Sequence, residues 1–275
     1  MPDIKDTLMK SYKKMVLIRE FETEAERQYK AARIGGYCHL ATGQEATTVG
    51  VVAPMGPDDL LITGYRCHGF ALAKGLKPRT VMAELFGKED GCSGGRGGSM
   101  HLLDPEVGYY GGWGIVGGQL PIAVGLALAL RQQGRPGAVV CELGDGAVNM
   151  GSWHESLNLA SIWKLPIFFL VVNNVYGMGT DVRKVSAEPA AYKRAAGYKM
   201  HGESVDGNDY TKVFEASSRL LEEARNRHPS VLEAQTYRYR GHSIADAGLI
   251  YRSREEIEEH KNNDPLEKLE KVIGL

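Results

Sequence analysis

Two short apolar runs with a helical stretch between them constrain this chain more than any other feature. Residues 138–143 and 167–172 are rich in β-branched and aromatic side chains, the composition of strands buried on both faces. Each run stops at residues unsuited to a buried strand: Gly144-Asp145-Gly146 after the first and Asn173-Asn174 after the second. Between them Trp153, Leu157, Ala160 and Trp163 recur at helical spacing, so the segment reads strand, loop, helix, strand. A crossover of this kind joins parallel strands. Parallel pairing brings Asp145 and Asn174 out together at the carboxyl ends, where open α/β sheets bind ligands. A lone Gly-Asp-Gly or Asn-Asn is usually only a turn. Both at the ends of consecutive parallel strands form a hard oxygen set, suited to Mg²⁺ or Ca²⁺ rather than zinc. The glycines beside Asp145 let main chain approach a phosphate closely. The expected centre of this chain, over residues 138–177, is a metal–diphosphate site.

The remaining segments fit an α/β fold, a mostly parallel sheet with helices on both faces. Leu8, Tyr12, Met15, Ile18 and Phe21 mark an amphipathic packing helix over residues 3–31. After Gly35-Gly36, the run Thr42 to Glu45 opens a helix over 46–53. Leu60 to Thr63 reads as a short strand ending at Gly64-Tyr65-Arg66, where an arginine fork suits phosphate oxygens. Helix is expected over 69–86 with a break at 75–78, over 121–133 behind Pro121, and over 210–227. Residues 181–200 read as loop with a short helix near Ala190, and 231–236 as a further strand. Beyond that strand Arg238, Arg240, His242 and Ser243 form a basic cluster, and the charged tail reads as helix. The glycine-crowded stretch 87–118 carries too many large apolar residues for a flexible linker and is expected to be a structured loop. No repeat or composition shift divides residues 1–275, which read as one domain.

Several functions are excluded. With 33 basic and 34 acidic side chains the net charge is −1, giving no electrostatic case for nucleic acid or an anionic membrane. No run of eighteen apolar residues exists to span a bilayer. The four cysteines are scattered without a CxxC pair, which argues against a zinc site or a disulfide scaffold. Gly112 to Gly117 fits GxGxxG, but the residues before it make a poor β-branched strand, so a nicotinamide site is rejected. His154-Glu155-Ser156-Leu157-Asn158 has asparagine where a zinc protease needs its second histidine. The N-terminus, charged throughout and not acid-poor, has neither a secretory nor a transit pattern.

A set of motifs then carries a resemblance that covers nearly the whole chain: GYCHLATGQEA (36–46), ITGYRCHG (62–69), GGRGGSMH (94–101), GIVGGQLP (114–121), NNVYGMGT (173–180) and TYRYRGHSIAD (236–246). Together with Gly-Asp-Gly followed by Asn-Asn, this set resembles the α subunits of the thiamine diphosphate-dependent dehydrogenase component of 2-oxo acid dehydrogenase complexes. The pyruvate type is the nearest; acetoin and branched-chain types are the alternatives. The resemblance implies a thiamine diphosphate-binding fold and two cofactors, thiamine diphosphate and Mg²⁺. It implies metal held by Asp145, Asn174 and the main-chain carbonyl of Tyr176, and cofactor contacts from Tyr65, Arg66, Gly114, Val116, Gly146, Ala147 and His242. His39 and His242 are the implied catalytic residues, and residues 237–255 the implied mobile active-site loop. The implied partners are a β subunit in an α₂β₂ enzyme, which supplies the glutamate that activates the cofactor, and a lipoyl domain on a dihydrolipoyl acyltransferase core. Ser243 matches a serine phosphorylated in eukaryotic members, whereas Ile250 and Asp181 replace the two other such serines. With the N-terminal composition, this points to a bacterial cytoplasm rather than a mitochondrial matrix. Outside the family, the competing readings are a dinucleotide-binding oxidoreductase and an inactive scaffold subunit.

Overall fold

The computed structural model describes residues 4–275. The chain runs α1 (Ile4–Lys30), α2 (Glu45–Val52), β1 (Leu60–Gly64), α3 (His68–Lys74), α4 (Pro78–Leu85), β2 (Tyr109–Trp113), α5 (Gln119–Gln132), β3 (Val139–Gly144) and α6 (Gly151–Ile162). It continues through β4 (Ile167–Asn173), a small hairpin of β5 (Tyr176–Gly177) and β6 (Thr180–Asp181), α7 (Val182–Val185), β7 (His201–Asp206), α8 (Tyr210–Arg225), β8 (Ser230–Gln235), α9 (Arg254–Lys261) and α10 (Pro265–Ile273). The main sheet has the order β2-β1-β3-β4-β8-β7 with every pairing parallel. The chain moves outward from β1 to β2, then crosses back over β1 to reach β3. The sheet therefore switches direction between β1 and β3, which opens a crevice at their carboxyl ends.

Alternation along the central strands builds two cores. Leu61, Val140, Phe168, Leu170 and Leu232 point to the layer of α1, α2, α3, α8 and α10. Ile62, Val139, Cys141, Phe169 and Val171 point to the layer of α5 and α6. With both faces covered, the strands read as continuous apolar sequence. The expected three-layer architecture and the central strand–helix–strand unit are therefore present. The first helix extends over 4–30; its expected start at Asp3 lies outside the described residues.

Three local expectations need correction. Residues 109–113 form an edge strand inside the glycine-rich stretch, paired to β1 through a register shift. Two glycines and a single paired neighbour hide this strand from a reading based on apolar runs. Residues 201–206 form the opposite edge, with the polar, partly exposed sequence HGESVD. Residues 181–200 carry the short helix expected near Ala190, a 3-10 helix at Ala191–Tyr198, but also α7, which was not expected. The rest of the glycine-rich stretch is structured as expected. The buried Glu84 carboxylate accepts main-chain N–H bonds from Ser93, Gly95, Gly97 and Gly98, which gathers the loop around one side chain.

Trp153 anchors the α6 layer, fully buried with its ring edge-to-face on Phe169 at a centroid distance of 6.0 Å. Its indole N–H has no hydrogen-bond partner. Trp153→Ala is therefore expected to cost ~3–5 kcal/mol in urea unfolding, and Trp153→Phe less than half as much. Equal losses for the two would show that the indole N–H, not ring packing, matters there.

Candidate functional site

The crevice at the switch point holds a cavity of about 300 Å³. It is lined by the residues that follow β1 (Tyr65, Arg66), β3 (Asp145 to Ala147) and β4 (Asn174, Tyr176), and by Arg238 beyond β8. The parallel register brings these four strand ends level: Gly144 pairs with Val172, and Val172 with Ala234.

Asp145 is the electrostatic centre. It is 3 % exposed, and burial pushes its carboxyl up to about 6 against a weak bond from the Asn174 N–H to Oδ1 at 3.4 Å. Its Oδ2 has no partner. The Asn174 amide oxygen and the Tyr176 carbonyl both face the Arg238 guanidinium, the first at 3.0 Å from Nη1. Two of the three oxygens expected to hold a metal thus converge on one cationic group. No cluster of three or more His, Cys, Asp or Glu side chains suited to a metal exists among the described residues. A one-carboxylate set completed by carbonyls, water and phosphate is the Mg²⁺ pattern. An unpaired buried carboxylate oxygen beside neutral oxygens fits such a cation.

The arginines carry the opposite imbalance. Arg66 donates only to neutral carbonyls, those of Leu40 at 2.5 Å and His242 at 2.8 Å. Burial, followed by the charge of Arg238, lowers it to about 10. Arg238, 1 % exposed, donates to Asn174, Tyr176, Met178 and the Tyr251 hydroxyl, none of them a carboxylate. Two guanidinium groups on one cavity wall with neutral partners favour a polyanionic ligand. Gly144 gives it room: the residue is extended, with φ −83° and ψ 164°, and a Cβ there would meet only open space. Gly146 stands across from Gly177, whose Cα would lie 3.5 Å from an added Cβ.

His39, Tyr65 and His242 pack as a ring cluster beside the cavity, with centroids 4.8 Å apart for His39–Tyr65, 5.0 Å for His39–His242 and 5.7 Å for Tyr65–His242. Burial and then the charge of Arg66 lower His39 to about 3 and His242 to about 4, so both imidazoles are neutral at physiological pH. The Nδ1 of His39 is buried without a partner. Val116 lies on the cavity wall, whereas Gly114 sits against the His101 ring, 3.1 Å from an added Cβ. The basic cluster after β8 divides: Arg238 turns inward, while Arg240 pairs with Glu26 at 2.8 Å on the outside. Ser243 is buried and Ile250 exposed.

Among the cavity residues that the sequence reading did not single out, three carry polar side chains of note. Gln44 and Gln119 line the wall, each with an unpartnered buried amide atom. Glu142 lines it too; burial pushes its carboxyl up to about 7 against a bond from the Gly64 N–H at 2.8 Å. Only Glu142 left a signal, a carboxylate inside an otherwise apolar strand. The GxGxxG at 112–117 begins inside β2, an edge strand with no β-branched residue, and runs on toward α5. Its first glycine packs on Cys67 Sγ and the Met100 carbonyl, 2.6 and 2.7 Å from an added Cβ, leaving no ligand approach there.

A raised carboxyl pKa means that the folded chain holds the Asp145 proton more tightly than the unfolded one. The stability this confers is present below the ordinary value of 3.8 and lost as pH rises through about 6. Asp145→Asn removes that slope and is expected to stabilise the metal-free chain by roughly 1–3 kcal/mol above neutral pH. Urea unfolding of both proteins between pH 4 and pH 8 checks it. A constant difference across that range would contradict the strained-carboxylate account.

The sequence matches the family described as "Dehydrogenase E1 component" over residues 13–274. The pyruvate dehydrogenase E1 component subunit alpha of Rickettsia prowazekii is 42% identical over 271 residues, covering 98% of this chain and 83% of that one. Its counterpart in Rhizobium meliloti is 44% identical over 267 residues, covering 96% and 76%. The somatic mitochondrial form of Bos taurus is 45% identical over 260 residues, covering 94% and 66%.

Proposed function

The chain belongs to the dehydrogenase E1 component family, and from that premise we propose that it is the α subunit of a pyruvate dehydrogenase. The enzyme decarboxylates pyruvate oxidatively and passes the acetyl group to a lipoyl carrier, using thiamine diphosphate and Mg²⁺. One observation carries this reading: an unpaired buried carboxylate oxygen and two arginines without carboxylate partners face the same cavity at the sheet's switch point.

Asp145, Asn174 and the Tyr176 carbonyl would hold Mg²⁺. Arg66, Arg238 and the Tyr65 hydroxyl would face diphosphate oxygens, with His242 beside them and the Gly146–Ala147 main chain beneath. The Gly114 and Val116 main chain would steady the aminopyrimidine. When bound, the cofactor supplies the nucleophilic carbon and the electron sink for CO₂ loss. His39, neutral and with a free ring nitrogen, would sit near substrate as a hydrogen-bonding or proton-transferring group. Activating the aminopyrimidine calls for a glutamate free to bond that ring, whereas the Glu142 carboxylate already accepts the Gly64 N–H. That glutamate is assigned to a β subunit, in an α₂β₂ enzyme that meets a lipoyl domain on an acyltransferase core. The cavity mouth supports a subunit contact there: Ile115 and Met178 beside it are 76 % and 64 % exposed. Among the described residues no helix is long and apolar enough to cross a membrane.

Purification of the tagged chain from its native cell tests this. A β partner is expected to co-purify, with turnover that depends on thiamine diphosphate and Mg²⁺ and prefers pyruvate over acetoin and branched-chain 2-oxo acids. The chain alone is expected to turn over nothing. Preference for acetoin would keep the site and change the substrate, and full activity without a partner would refute the shared site.

A further inference from the structure

Behind the ring cluster lies a second polar constellation that the cavity does not include. Glu22 of α1, His68 at the start of α3 and Ser99 of the glycine-rich loop are buried; Glu22 and His68 are 0 % exposed. His68 Nδ1 lies 2.8 Å from Glu22 Oε2, and His68 Nε2 lies 2.8 Å from Ser99 Oγ. The connectivity is that of an acyl-transfer triad, but Ser99 is 5 % exposed and its hydroxyl is already committed on both sides. A nucleophile needs an approach path, so this is not a hydrolytic site.

The hydrogen bonds leave the constellation at two points, and both lead to one segment. Ser99 Oγ accepts the His39 main-chain N–H at 3.2 Å, and Glu22 Oε1 accepts the Ala41 N–H at 2.9 Å. The carbonyl between them, that of Leu40, accepts from Arg66 Nη1. Residues 39–41 belong to no helix or strand. With Glu22 receiving the Nδ1 proton, His68 Nε2 accepts from the Ser99 hydroxyl, whose remaining lone pair takes the His39 N–H. Every donor then has one acceptor, the condition under which a buried polar network is rigid.

We propose that Glu22, His68 and Ser99 are positioning residues: a buried relay that fixes the main chain at His39 and so aims its imidazole at the reacting centre. The proposal rests on the reading of His39 as an active-site group, and it extends the site by three side chains from α1, α3 and the glycine-rich loop. It also gives the GGSMH motif a task, because Ser99 is its serine. None of the three side chains lines the cavity. A displacement of an active-site group by about 1 Å costs on the order of 100-fold in rate.

The test uses Ser99→Ala, which removes one oxygen, and Ser99→Thr, which keeps the hydroxyl. In the α₂β₂ holoenzyme, Ser99→Ala is expected to lower kcat by roughly 10- to 100-fold while KM stays within about twofold. In the full-length chain, amide hydrogen exchange at His39 is expected to quicken about tenfold or more, and Ser99→Thr to restore both quantities. Unchanged kcat with unchanged exchange at His39 would overturn the proposal. So would a fall in kcat with His39 exchange still at the wild-type rate, since the loss would then have another cause. The exchange measurement needs no turnover. An inactive wild-type holoenzyme would therefore refute the proposed reaction and leave the relay's hold on His39 to be decided separately.

Discussion

An ionisable oxygen with nothing to bind it, the Oδ2 of Asp145, is the constraint around which the site is arranged. A carboxylate buried without partners resists ionisation, and a fold keeps one only where something outside the chain is to neutralise it. The sheet makes the position possible. Because β1, β3 and β4 are covered on both faces by two cores, their carboxyl ends are held level and open onto the crevice at the switch point. The strained group stands at the end of β3, whose pairing with β4 is the central one of the sheet.

The segment after β8 completes the arrangement. Arg238 brings its guanidinium onto the Asn174 amide oxygen and the Tyr176 carbonyl, and the Tyr251 hydroxyl reaches both Arg238 and Asp246. Asp246 in turn accepts the His242 main-chain N–H at 2.7 Å. Placement of this segment and placement of the site's charges are one event, since the same side chains do both. Charge at Asp145, Arg66 and Arg238 is left for a ligand to balance, and the neutral His39 and His242 respond to it: a bound polyanion would raise both from their lowered values.

Much of this was legible in the sequence, for identifiable reasons. The central strands and their ends could be read because burial on both faces leaves an unbroken apolar run and an abrupt polar stop. Tyr65, Arg66, Asp145, Asn174 and Tyr176, which line the cavity, could be picked out because each lies just beyond such a stop or in a motif of the family. The edge strands at 109–113 and 201–206 were not found, because an edge strand needs neither an apolar run nor alternation. Gln44, Gln119 and the Glu22–His68–Ser99 relay depend on contacts between distant segments, up to 77 residues apart for Glu22 and Ser99, which no local pattern encodes. Arg238 and Arg240 show the same limit: two residues apart in one basic cluster, one is buried at the site and the other is paired at the surface.

The most direct measurement is calorimetric titration of thiamine diphosphate into the assembled α and β subunits, with Mg²⁺ present and with Mg²⁺ removed by chelation, for the wild type and for Asp145→Asn. The account requires tight binding by the wild type only when Mg²⁺ is present, and its loss in the variant under both conditions. Binding of equal strength with and without Mg²⁺, or undiminished by Asp145→Asn, would contradict the claim that this buried carboxylate exists to hold a cation against a diphosphate.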